Sequence, residues 1–513
     1  MSWTPLDLLP YDPWAQVLEY LPQEDLDSLS RTGRDFTIIT IPYLYRSFHW
    51  DWKHPPLRKI VMLLRSISER PELASHVRHL SFVSWEYNLA HKYFEQNTVQ
   101  IPTTYAQWPQ LRPHVQPTLR WACDIVLDAH FDRKLASWLY MQLLRGDAYT
   151  WATILLSQLH NLRSLRLDFS FACMGGLPGV CHSLFGNAPL GVLTKFMKLE
   201  KVDYASNVPL SLSNYRNDRA EGYQFMPWYY LPSLKSLENW LQNAWGVCPS
   251  PLGLEPVERP PSPSLDLSKL RTLVIMRSTL QCNHTAKLLS GVPYLRSLHI
   301  GVIFSHWRTI NWFLRAYRGL LNALGTSSET LELLSISFEL LASYAFSWLS
   351  AESADPIEHE SAQNDLIKFR NLKVLSLPLQ FISNWEMTGL SICALPENLP
   401  ENLEHIDLRS DLWDPRVYSV YEDVAVNTLG ALIRQRRFGD YQRLRTLSYE
   451  GLSNPELELF VKRRMLHHLS LQAGVEVFVR CPNCVPGFIT RMAGFVDNVP
   501  VACWAALALR SHW

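Results

Sequence analysis

Long apolar runs are missing from this chain. No stretch of about 18 uninterrupted apolar residues occurs, so no membrane-spanning segment is expected. An excess of charge is missing too: 48 basic and 48 acidic side chains among 513 residues leave a formal net charge of zero. A partner held mainly through phosphates along its backbone would call for a broadly basic surface, so nucleic acid is not expected. The opening residues lack a basic segment followed by an apolar one, because Asp7 and Asp12 interrupt it, and no signal peptide is expected. Neither a glycine-rich phosphate loop nor a Gly-x-Ser-x-Gly nucleophile turn is present, which removes the commonest signatures of nucleotide-binding enzymes and hydrolases. Cysteine pairs are also scarce. Cys481 and Cys484 form the only Cys-x-x-Cys, and a tetrahedral metal site would need two more ligands, for which Cys503, His467 and His468 are the nearest candidates. Nothing repeats the pair at zinc-finger spacing, and Pro482 and Pro486 surround it with turn rather than the start of a helix. No metal, no cofactor and no enzymatic activity are expected. The nine cysteines are scattered and odd in number, which fits reduced thiols in a cytoplasmic or nuclear setting.

What remains is plentiful core material, with 47% apolar residues, 19% charged residues and 19 tryptophans. The first fifty residues are apolar at helical spacing and crowded with stop signals. Asp12 can cap a helix with Pro13 at its first position, and Trp14, Val17, Leu18 and Leu21 then share one face. Pro22 ends that helix. A second runs from Glu24 to Arg31, with Glu24 and Asp25 in the first turn, where the helix dipole favours them. Gly33 leaves it, and a third begins near Asp35 and is expected to stop at Pro42. A bundle this small cannot bury enough surface to offset its ordering entropy comfortably. Its apolar residues should be shared, either with the following domain as a cap or with a partner.

These residues resemble a family. Leu9 and Pro10, Val17, Leu18 and Leu21, Asp25, Leu26, Leu29 and Ser30, and the ending "PYLYRSFHWD" are similar to an F-box of the form common in filamentous fungi, although Pro13 and Gly33 depart from its usual pattern. The resemblance covers about residues 6–50. It implies a module that docks onto a Skp-family adaptor of a cullin ubiquitin ligase. Leu9, Pro10, Trp14, Val17, Leu18 and Leu26 are the candidate adaptor contacts, and some of them must instead hold the helices together.

Beyond this segment the chain repeats itself. Leu-x-x-Leu-x-Leu or a conservative variant begins at Leu162, Leu199, Leu234, Leu270, Leu295, Leu331, Leu372, Leu403 and Leu444, with an earlier copy at Val77. Successive starts from Leu162 to Leu444 lie 25 to 41 residues apart by subtraction. Each hexamer reads as a short strand whose second and third leucines point inward. Helical returns such as Trp307–Leu324 and Val424–Ile433 bring the chain back. A strand–helix unit cannot bury its own face, so neighbours must stack into a solenoid. This resembles an irregular leucine-rich-repeat protein. The polar residue usual eight positions after the first leucine is Asn only at Asn207, so uniform curvature is not expected from that ladder.

The expected class is therefore α/β: a small N-terminal three-helix F-box over residues 1–50, then a helical linker and first irregular repeat over 51–150. A leucine-rich-repeat solenoid follows over 151–480, with a proline-rich insertion at 248–264 and an acidic one at 351–365, and residues 481–513 form a C-terminal cap. Residues flanking the inward leucines should line an open face. These are Ser164, Arg166 and Asp168; Lys201 and Asp203; Ser297 and His299; Ser335 and Ser337; Ser376; His405, Asp407 and Arg409; and Ser448 and Glu450. Of these, Arg166, Asp168, His299, His405, Asp407, Arg409 and Glu450 are the candidate contacts for an unknown protein target. His405 and Asp407 on one strand could also serve a hydrolase, but surface residues on a concave sheet are the simpler reading. Together these features imply a substrate-recognition subunit of a Skp–cullin–F-box-type ligase. The alternative is a repeat scaffold outside ubiquitination.

Overall fold

The computed structural model describes residues 11–84, 108–131, 133–174, 193–207, 228–229, 231–240, 267–278, 282–304, 319–340, 366–379, 399–409, 418–450 and 466–480. The fold is α/β, with helices and a parallel sheet of twelve strands that follow one another in chain order. The strands are β1 (Ser47–Trp50), β2 (His79–Phe82), β3 (Ser164–Leu167), β4 (Lys201–Tyr204), β5 (Ser236–Trp240) and β6 (Thr272–Ser278). They continue as β7 (Ser297–Phe304), β8 (Leu333–Leu340), β9 (Val374–Pro378), β10 (His405–Arg409), β11 (Thr446–Glu450) and β12 (Glu476–Arg480). Ten of them coincide with the ten hexamers read from the sequence. β1 and β12 do not carry the motif. This architecture is compatible with a strand–helix solenoid, since parallel neighbours need a crossover between them.

The chain divides into two compact units. The first comprises Met1–Tyr87, Asn97–Val202 and Leu231–Ser233. It opens with three short helices, α1 (Tyr11–Tyr20), α2 (Gln23–Ser30) and α3 (Arg34–Leu44). Pro42 does not stop α3 as expected; it lies inside the helix, two residues before its end. The carbonyl that Pro42 leaves without a partner belongs to Ile38, which is 60% exposed, so the lost bond lies on the wet side of the helix. The chain passes almost directly from α3 into β1, so residues 1–50 contain both the helices and the first strand.

Four further helices pack in this unit: α4 (Leu57–Glu69), α5 (Trp108–Leu111), α6 (Gln116–Asp128) and α7 (Arg133–Arg145). They are followed by α8 (Ala148–Gln158), nearly all of it buried. Asp147 caps α8, its carboxylate accepting from the Thr150 N–H at 2.7 Å and from the Thr150 hydroxyl. Burial pushes the Asp147 carboxyl up, and the Thr150 bonds partly oppose this. Just before it, Gly146 has φ +74°, and a Cβ there would lie 2.3 Å from Cγ of Trp108. Only glycine satisfies both conditions. An aromatic cluster closes the core: Trp52 stacks on Phe82 at 4.8 Å and meets Phe171 at 4.7 Å, and Tyr149 meets Phe171 edge-on at 4.9 Å.

The second unit comprises Asn88–Gln96, Asp203–Tyr230 and Leu234–Trp513. Its described helices include α9 (Cys282–Leu289) and α10 (Tyr418–Phe438). The second of these contains the expected Val424–Ile433. Of the expected helix Trp307–Leu324 only residues from 319 on are described; there Leu320, Leu321 and Leu324 are fully buried. The insertions at 248–264 and 351–365 and the C-terminal segment 481–513, with Cys481 and Cys484, lie outside the described residues.

The same devices hold the strands in both units. The inward leucines are fully removed from water: Leu162, Leu165 and Leu167 in the first unit, Leu295 and Leu298, Leu331 and Leu334, and Leu372, Leu375 and Leu377 in the second. Each contributes roughly 1.5–3 kcal/mol on transfer from water. At nine strand starts, one backbone carbonyl accepts two successive N–H groups from the next repeat at 2.7–3.1 Å. In the first unit, Arg46 O accepts from Arg78 and His79, and Arg78 O accepts from Arg163 and Ser164. In the second, the carbonyls of Lys235, Arg271, Arg296, Glu332, Lys373 and Glu404 continue the pattern.

Candidate functional site

Two surfaces were expected to carry function: the helical module and the open face of the repeats. In the module, Leu18 and Leu26 are buried, at 1% and 5% exposure, and hold the helices together. Trp14 is half-buried and its ring meets Phe36 edge-on at 5.9 Å. The hydroxyl of Thr37 on α3 donates to the Ser30 carbonyl at the end of α2, at 2.6 Å. Leu18 and Leu26 therefore belong to the inside of the module, and Trp14 lies at its edge. Leu9 and Pro10 lie outside the described residues. The surface is formed by other side chains: Val17 is 51% exposed, Tyr20 86% and Ile38 60%. Val17 and Tyr20 are three residues apart and share one side of α1. Of the expected contacts among the described residues, only Val17 is on the surface; Tyr20 and Ile38 are exposed apolar side chains that the apolar stripe did not single out.

On the open face of the second unit, strand register places a row of alternate residues side by side. Across β7 to β11 it reads His299, Ser335, Ser376, Asp407 and Ser448. The alternation expected from the motif is observed in β10, where Ile406 and Leu408 are buried and His405, Asp407 and Arg409 are half-exposed. Asp407 accepts from the Ser376 hydroxyl at 2.9 Å and from the Ser448 hydroxyl on the opposite side. One carboxylate thus joins three strands. One step towards the strand starts, His405 Nδ1 is hydrogen-bonded to the Thr446 hydroxyl. Gly301 follows His299 on the same face and is closely approached by its neighbours. A Cβ there would lie 2.9 Å from Cε of Met276 and 3.0 Å from the Ser337 hydroxyl.

Burial lowers the His299 imidazole to about 4, and the Arg409 guanidinium adds to the effect. Arg409 therefore acts across the face from β10 towards β7. Burial also lowers His405, with Arg445 acting in the same direction and Glu404 opposing it. Glu450 ends β11, and its side chain lies outside the described residues. His299 and Asp407 stand three strands apart, about 14 Å at ordinary strand spacing, too far for a proton relay.

In the first unit the row across β1, β2 and β3 reads His49, Ser81 and Arg166, and the row before it Ser47, His79 and Ser164. Asp168 was expected here as a surface contact and is fully buried instead. Its carboxylate accepts the N–H of Ser84 at 3.1 Å and that of Ser170 at 2.9 Å, closing the end of β3 and starting the short helix Phe169–Met174. An aspartate directly before an apolar helical stretch was a visible capping signal.

A second missed set has a plain sequence signature. Asn161, Asn371 and Asn402 each stand immediately before the first leucine of a repeat. Each side-chain amide donates to a carbonyl of the preceding repeat: Ser75 at 2.8 Å, Glu329 at 2.6 Å and Arg370 at 2.6 Å. The stacking asparagine is present after all, at the opposite end of the strand from where the usual pattern puts it. Among the described residues no three His, Cys, Asp or Glu side chains come together as a metal site, and no helix is long and apolar enough to cross a membrane. No family model matches the chain, and no curated protein matches it.

Proposed function

We propose that the chain is the substrate-recognition subunit of a Skp–cullin–F-box-type ubiquitin ligase. The helices α1–α3 act as the F-box that docks on the adaptor, and the leucine-rich repeats present a target-binding face. The observation that carries the reading is the pairing of Val17 and Tyr20 on one exposed side of α1, above a core already closed by Leu18 and Leu26. Apolar side chains left in water on so small a module fit a protein partner. Such a subunit contributes no catalytic group; it raises the effective concentration of a target near a ubiquitin-loaded enzyme. Action in the cytoplasm or nucleus accords with the odd number and scattered placement of the cysteines.

The second reading is a repeat scaffold whose first helices only cap the sheet, and the direct passage from α3 into β1 favours it. A purified Skp-family adaptor separates the two. Full-length chain should retain it on affinity resin, and Val17→Asp with Tyr20→Asp should abolish retention while leaving the thermal transition within about 1 °C, as exposed changes usually do. Retention that survives both substitutions removes this face as the docking site. Deleting residues 1–50 is a poor test, because it also removes β1 from the sheet.

A further inference from the structure

The formal net charge of zero conceals a local excess in the first unit. His79 opens β2, with Arg46 and His49 on the β1 side, Arg78 immediately before it, and Lys201 at the start of β4. Among the described residues, every charged group that acts on His79 is a cation or an imidazole, and the same holds for His49, on which Arg166 acts. Arg46 is paired with Glu19 at 2.6 Å. Hydroxyls lie among the cations. Ser47 and Ser164 flank His79 in register, and the Ser47 hydroxyl meets His49 Nε2 at 2.9 Å. Arg78 and Arg163 follow one another along the strand starts, joined by the Arg163 N–H to Arg78 carbonyl bond at 2.7 Å, and both side chains are exposed.

We infer that this face, centred on His79 and bounded by His49, Arg78, Arg163 and Lys201, binds a dianionic oxyanion of the phosphate-monoester class. Guanidinium forks match the oxygens of such a group, hydroxyls donate between them, and imidazoles add charge when protonated. From β1 to β3 the face spans about 10 Å, room for one such group and its attachment. Burial and the surrounding cations leave both imidazoles neutral near pH 7. Binding a dianion therefore draws in protons, and affinity for an anion of fixed charge rises as pH falls. The inference stands apart from adaptor docking, since it concerns a different face and can be measured on the chain alone.

Titration calorimetry on the full-length chain tests it, with inorganic phosphate, sulfate and a short phosphoserine peptide as probes, at constant chloride. Saturable binding of phosphate or the peptide is expected, weakened at least ten-fold by Arg78→Gln with His79→Gln. Sulfate, whose charge does not change between pH 7.5 and 6, should bind several-fold tighter at pH 6. Tighter binding of the peptide than of phosphate assigns the group to a modified protein side chain, and the reverse assigns it to a free metabolite. If the double variant unfolds, movement of the His49 and His79 ring resonances in the unsubstituted chain on adding phosphate carries the same information. Absence of saturable binding, or binding that the double variant leaves unchanged with the ring resonances unmoved, overturns the inference.

Discussion

The two units share a backbone plan and differ in what they present to solvent. In both, leucines close the inner layer and carbonyls at strand starts each take two N–H groups from the next repeat. In the first unit, the open positions of β1–β3 carry two histidines, an arginine and serines, and positive groups accumulate. In the second, the corresponding positions of β8–β11 are serine, serine, aspartate and serine, and a carboxylate is held centrally by hydroxyls from both sides. The interior of such a repeat is therefore dictated by packing, whereas its open positions are free to be basic in one place and acidic in another. The inner layers differ in emphasis: the first unit packs an aromatic cluster around Trp52 and the nearly all-buried α8, whereas in the second Trp228, Trp240 and Tyr449 are buried among repeated leucines and isoleucines.

The sharpest way to break that contrast is at Gly146. A methyl group there collides with Trp108 and places a non-glycine residue at positive φ, so Gly146→Ala should destabilise the first unit by about 4 kcal/mol or more. Hydrogen exchange should show lost protection in α6 to α8, with β7 to β11 keeping theirs. Equal loss in both would mean that the two units do not hold themselves together by separate means.

A smaller effect comes from acid. The His299 imidazole titrates near 4 in the folded chain against 6.5 when unfolded, so on acidification the unfolded chain takes up the proton first. Stability present above pH 6.5 should fall as pH drops towards 4 and level off below it, by at most ~3 kcal/mol for this group. His49 and His79 are also lowered and add losses of the same sign below 6.5 in the first unit. Denaturant titrations at pH 7.5, 6 and 5, followed by exchange in β7, should show His299→Gln flattening the slope for the second unit alone. A slope unchanged by this substitution would remove His299 as its source.

The smallest expected effect is at Asp407. Asp407→Ala leaves the Ser376 and Ser448 hydroxyls, both nearly buried, without their shared acceptor and should cost about 1–2 kcal/mol. A denaturation midpoint that does not move would show that the carboxylate is kept for a ligand rather than for joining strands. That outcome would make the two open faces more alike than their compositions suggest.

Much of this arrangement was legible because burial punishes errors in the leucine pattern: every hexamer from Val77 to Leu444 became a strand. β1 and β12 escaped notice since "SFHW" and "EVFVR" fill inward positions with aromatics and valine, which read as the tail of a helical module or as nothing in particular. Open-face side chains were assigned correctly by alternation in β10. In β3 alternation failed at Asp168, where a strand ending in a helix cap turned the side chain into the structure. The helical module showed the limit most clearly. Spacing identified an apolar face but could not divide it between the inside, taken by Leu18 and Leu26, and the outside, left to Val17, because that division depends on what the helices meet.

The doubly used carbonyls have a consequence for how such a chain can change in length. Each one fixes the first two residues of the following strand and leaves everything between the strands uncounted, which is why repeats of 25 and of 41 residues stand in one unbroken series. Lengthening a return costs only slowly growing closure entropy. Losing a single residue at a strand start would misalign both N–H groups and turn every later side chain of that strand to the wrong face. Tolerance and intolerance thus alternate along the chain like the loose and clenched links of a bracelet, and new material can be accommodated only in the loose ones.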